Sequence, residues 1–180
     1  MSNPKHIKRA IFDSGPLLLA LTINFINKNN IQNFDKILQN AYDKIKNIQN
    51  PKRTLENFFS HFTRIYTTSH AIGELIGLVK SRLDFNVEYE NKFWGNSIDY
   101  LKSKNLSEEL IKFIELKSDI YYQELISSIG FVDTELIKLA IEHKFQLPII
   151  SIDSRTLKRE ANKKTIDVFI LEDDIYSFIN

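Results

Sequence analysis

The 180-residue chain contains no cysteine, which excludes a disulfide framework, a thiolate nucleophile and any Cys-based zinc or iron–sulfur site. Any bound metal must therefore be held by oxygen or imidazole. Five glycines and four prolines punctuate the chain without clustering, so no interdomain linker, internal repeat or low-complexity segment stands out. Long apolar runs are also missing. The stretch from Pro16 to Leu21 falls well short of the roughly 20 residues that cross a bilayer. The opening MSNPKHIKRAIF passes from polar residues straight into a short apolar run, without the pattern of a secretory signal, and a cytoplasmic protein with no membrane contact is expected. No charge predominates: 24 Lys and Arg face 23 Asp and Glu, a net charge of +1. That balance removes the bulk basicity of a purely electrostatic nucleic-acid binder but leaves room for a polyanion held locally. Gly-rich phosphate loops, GxGxxG and GxSxG are absent.

What is present suffices for a core. With 43% hydrophobic and 12% aromatic residues, the chain can bury a substantial core, and a single domain over residues 1–180 is expected rather than a disordered or fibrous segment. KRAIFD at Lys8–Asp13 reads as a buried strand ending in a carboxylate, and Ser14-Gly15-Pro16 opens a helix into an apolar segment reaching Phe25. Apolar residues from Phe34 to Ile48 recur at helical spacing behind a cap at Asn33. A helix near Leu55–Phe62 and a short strand near Arg64–Thr67 follow, then a helix capped by Thr68 or Ser69 that carries Glu74 beside its apolar face. Helices are expected over Val87–Lys102, over Glu108–Tyr122 behind Ser107, and over Asp133–His143. Leu147–Ile152 and Ile166–Leu171 read as strands around a helix at Arg155–Ala161. This alternation implies a mainly parallel sheet with helices on both faces.

Two segments carry the chemistry. IFDS at Ile11–Ser14 and SIDS at Ser151–Ser154 each end an apolar run in aspartate and serine. Strands of an open parallel sheet end at one edge, so Asp13 and Asp153 are expected to converge there. Carboxylates brought together repel unless a divalent cation relieves them, and hard cations such as Mg²⁺ or Mn²⁺ prefer such oxygen ligands. Taken singly, each aspartate is also an ordinary helix cap.

Asp13 in IFDSGPLL, Glu74 in TSHAIGELIGLV, Asp133 in GFVDTELIKLA and Asp153 in PIISIDSRTL together resemble, in order and context, the four acidic motifs of the PIN-domain nucleases, the family of the VapC-like toxin ribonucleases. The resemblance spans residues 7 to about 171. It implies a three-layer α/β/α sandwich in which Asp13, Glu74, Asp133 and Asp153 ligate one or two Mg²⁺ or Mn²⁺ ions for hydrolysis of RNA. Ser14 and Ser151 then orient the aspartates, with turn hydrogen bonding the plainer role for both. Arg155, first of the basic residues just after the last motif, is expected either to contact substrate phosphate near the crevice mouth or to lie on a solvated helix flank. The partners implied are an RNA substrate and, for a toxin, an antitoxin protein, with a homodimer as a further assembly.

Relative to compact toxin members, the chain is longer at about 28–66 and 86–122, which are expected to be helical insertions. Residues 28–64 hold seven basic side chains and three acidic ones, a surface for RNA phosphate or an antitoxin, or simply a solvated face. His70 and Glu74 share an i, i+4 spacing without the HExxH of a zinc protease, and Gly73 and Gly77 suggest close helix packing. The alternative to a nuclease is a catalytically silent PIN-like module that binds RNA or protein through the basic segment. A haloacid-dehalogenase-type phosphatase fits less well, because Gly15 stands where that class needs a second aspartate.

Overall fold

The computed structural model describes residues 4–152 and 154–179. Among them five strands form one all-parallel sheet, β1 (Arg9–Phe12), β2 (Arg64–Thr68), β3 (Ser107–Glu109), β4 (Ile149–Ser151) and β5 (Val168–Ile170), in the order β3-β2-β1-β4-β5. β1 lies at the centre because its residues are apolar on both faces. Ala10 and Phe12 join the core on one side and Ile11 the core on the other, all fully buried, as expected of a strand covered by helices on both faces. Ile11 pairs with Tyr66 on β2 and with Ile149 on β4. The chain leaves β1 toward β2 on one flank and β4 on the other, so a crevice opens beyond the carboxyl ends of β1 and β4.

The larger core is built on α1 (Ser14–Lys28), α2 (Asp35–Ala41), α3 (Pro51–Ser60), α4 (Ser69–Arg82), α5 (Val87–Ser103) and α10 (Leu171–Ile179). α1 is apolar almost all round: Leu17, Leu18, Leu19, Leu21, Phe25 and Ile26 have no exposed surface, because α2, α3, α4 and α5 enclose it. The opposite core draws on α6 (Phe113–Lys117), α7 (Ile120–Ile129), α8 (Phe131–Glu142) and α9 (Arg155–Asn162). The α/β class, the parallel sheet and the helical cover of both faces are as expected. No helix among the described residues is long and apolar enough to cross a membrane.

Three local expectations are corrected. The stripe from Phe34 to Ile48 is not one helix: α2 ends at Ala41, Tyr42 is extended at φ −150° and ψ 110°, and a 3₁₀ turn covers Asp43–Asn47. Its cap is not Asn33 either, since Phe34 holds that position without a side-chain bond. Ser107 begins no helix. It opens β3, where Tyr66 pairs with Ser107 and Thr68 with Glu109, and α6 and α7 follow as separate pieces. Gly73 and Gly77 pack against nothing, and a Cβ added at either would meet open space.

Candidate functional site

Asp13 is placed by the turn from β1 into α1. Its backbone N–H donates to the Ile150 carbonyl at 3.1 Å, holding it against the end of β4, and its Oδ1 accepts from the Ser14 N–H at 2.7 Å as the cap of α1. Gly15 makes this closeness feasible, because a Cβ there would stand 2.5 Å from Ile152 Cδ1. Asp13 Oδ2 accepts from Ser151 Oγ at 2.9 Å. Ser14 Oγ lies 2.7 Å from Glu74 Oε2 and 3.3 Å from Asp13 Oδ1. A hydroxyl has one proton to donate, and the shorter distance directs it to Glu74. One serine thus ties the first and second acidic motifs together although 60 residues separate them in sequence.

Glu74 is an exposed residue of α4, whose start is fixed by Thr68 Oγ1 accepting from the Ala71 N–H at 3.2 Å. Asp133 lies in the first turn of α8 and accepts from Ser154 Oγ at 3.0 Å. Ser154 also caps α9 by accepting from the Leu157 N–H. Asp13, Glu74 and Asp133 all line one open cavity of about 860 Å³ beyond the carboxyl ends of β1 and β4. Asp153 lies outside the described residues, while its neighbours Ile152 and Ser154 both face this cavity.

The electrostatics of the site are those of crowded acids. Burial pushes the Asp13 carboxyl above the usual aspartate range and the Glu74 charge adds to the shift, while hydrogen bonds from Ser151 and Ser14 pull the other way. Behind the site, burial likewise raises Glu135, whose side chain has no exposed surface, and His70 Nδ1 at 2.7 Å opposes that rise. His70 therefore faces Glu135 on α8 and stands edge-on to Phe131 at 4.8 Å. Among the described residues no three His, Asp or Glu side chains form a ready-made metal cage. The donor chemistry nevertheless suits a hard cation: the carboxylates are oxygen donors, and the hydrogen bonds from Ser151 and Ser14 favour the charged form of Asp13 against the burial that opposes it.

Other expected residues sit elsewhere. Arg155 does not line the cavity; it is exposed and reaches toward Asp173 at 4.0 Å. In the acidic run after β5, Glu172 pairs with Lys44 at 2.9 Å and Asp174 with Lys158 at 3.0 Å, and Asp174 also accepts from the Ile170 N–H. Among the cations of residues 28–64, Lys28 pairs with Asp99, Lys52 lies over Phe34 and Arg64 over Tyr66. The same segment supplies Asn40, Tyr42 and Asp43 to one wall of the cavity. Residue-level reading missed Ser154 as the partner of Asp133, and Arg82 as a cation on the cavity wall. Comparison with family models, curated proteins and solved structures gave no match.

Proposed function

We propose that the protein is a metal-dependent phosphodiester hydrolase. More narrowly, it is an endoribonuclease of PIN type, the toxin of a toxin and antitoxin pair or a related defence nuclease. The observation that carries this reading is the meeting of Asp13, Glu74 and Asp133, from three separate segments, around one crevice at the carboxyl edge of a parallel sheet. Taken singly, a helix cap explains Asp13, a first-turn position explains Asp133 and a solvated helix face explains Glu74. They do not explain why a serine next to one acid bonds another, nor why Asp13 keeps both oxygens in hydrogen bonds at a buried position that disfavours its charge.

In this reading Asp13, Glu74 and Asp133 hold Mg²⁺ or Mn²⁺, with Asp153 joining them on the strength of the sequence resemblance. When bound, the ion supplies a lowered water pKa and neutralises charge developing on the phosphate. Ser14 and Ser151 fix the carboxylate orientations by occupying the lone pairs that face the protein, and Ser154 does the same for Asp133.

The test is cleavage of single-stranded RNA by purified protein with Mn²⁺, compared with Asp13→Asn and Asp133→Asn. Loss of cleavage in both variants, with unchanged circular dichroism, supports the reading. Equal cleavage by all three proteins removes it.

A further inference from the structure

α4 presents Glu74, Leu78 and Arg82 to the cavity at intervals of four residues, so one helix face forms a wall of the trench. At 1.5 Å per residue, the eight positions from Glu74 to Arg82 span about 12 Å along the axis. One end of this wall belongs to the acids. At the other end stands Arg82, the only Lys or Arg among the described residues lining the cavity. Arg82 is exposed, and its Nη1 donates to the Ala41 carbonyl at 3.2 Å, docking the end of α2 while leaving the rest of the guanidinium fork free to donate. Between the two ends α4 itself offers the apolar Leu78, and Ile129, Phe131 and Val132 from the α7–α8 junction add apolar surface to the same cavity.

Acid, apolar side chain and guanidinium at successive turns of one helix face complement phosphate, nucleoside, phosphate. We infer that Arg82 binds a backbone phosphate of the substrate strand beyond the one being cut, which makes the site selective for a single-stranded polynucleotide over an isolated diester. This inference rests on the hydrolase reading above. Arginine suits the task because its fork grips phosphate oxygens in pairs. A contact to a phosphate away from the reacting centre holds the strand in register, and its loss weakens binding without slowing the chemistry. Asp43 also lines the cavity and sets a negative charge on the same lining. Its Oδ1 accepts from the Lys44 N–H at 3.1 Å.

The experiment compares two substrates of the same full-length protein with Mn²⁺: a dinucleoside monophosphate, which has a single diester, and a short single-stranded oligoribonucleotide. Arg82→Gln retains a donor for the Ala41 carbonyl but loses the charge, and Arg82→Lys retains the charge. For Arg82→Gln, KM on the oligonucleotide rises about tenfold at constant kcat, and the dependence of log KM on log salt becomes shallower by about one phosphate contact. Kinetics on the dinucleoside monophosphate stay those of the wild type, Arg82→Lys recovers most of the oligonucleotide KM, and the thermal midpoint of Arg82→Gln confirms an intact α2 dock. An Arg82→Gln effect of equal size on both substrates, or on neither, overturns the inference while leaving the hydrolase reading in place. A wild type that cuts neither substrate overturns both.

Discussion

At the scale of single residues, Asp13 concentrates the tension of the site. Its folded-state pKa lies above the aspartate value because burial disfavours the charge. Without metal, the stability tied to this residue is complete below the unfolded pKa and is lost as pH rises toward and through the folded value, so at neutral pH, well above the unfolded value, this carboxyl costs stability relative to an uncharged side chain. Asp13→Asn keeps an oxygen for the Ser14 N–H and an equally good cap but removes the charge. Its metal-free thermal midpoint is therefore expected above that of the wild type, and Mn²⁺ should raise the wild-type midpoint while leaving the variant unmoved. A variant that melts lower than wild type without metal, or gains as much from Mn²⁺, contradicts this role. Asp13, Glu74 and Asp133 could be singled out in the sequence because the first ends an apolar strand, the second borders the apolar face of a helix and the third stands at a helix start. Arg82 could not, since a cation in the last turn of a helix reads first as a partner of the helix dipole, and only the docking of α2 beside it places it on a cavity wall.

Helices and strands explain where sequence periodicity succeeds and fails. α1, α5 and α9 follow their apolar patterns and caps closely. Tyr42 interrupts its stripe because the ring is buried in the core, and the chain turns there to deliver Asn40 and Asp43 to the cavity. β3 is three residues, Ser-Glu-Glu, with no apolar signature; it is a strand because β2 offers it a free edge, a tertiary cause invisible in local sequence. Two predictions belong at this scale. Thr68→Ala removes the cap of the helix carrying Glu74 and is expected to cost about 1 kcal/mol in chemical denaturation, with Thr68→Ser near wild type. An unchanged midpoint for Thr68→Ala counts against the cap.

The second concerns His61, which follows α3. Burial lowers its pKa and the nearby Lys8 charge lowers it further, while the ring contacts the Pro4 carbonyl through Nε2 at 3.2 Å and packs edge-on to Phe62 and Phe178. A histidine whose folded pKa is depressed contributes stability that is present above its unfolded pKa of about 6.5 and lost as pH falls through the folded value. The wild type should thus lose thermal stability below about pH 6.5, and His61→Phe should flatten that part of the profile. Parallel profiles for the two proteins contradict the assignment.

For the whole molecule, the near-neutral charge with which the sequence opens divides into regions. The acids gather at the crevice beyond β1 and β4, the carboxylates after β5 are engaged by Lys44, Lys158 and the Ile170 N–H, and the basic segment 28–64 places part of its chain on the cavity wall. The parallel sheet and its order create that crevice, and the order could be anticipated only as far as alternating helices and strands imply it. Whether the crevice cuts RNA with a divalent ion is decided by gel analysis of a single-stranded RNA incubated with Mn²⁺. Internal cleavage by the wild type is expected, abolished by chelation and by Asp13→Asn. Cleavage that survives both, or no cleavage by the folded wild type, contradicts the hydrolase reading.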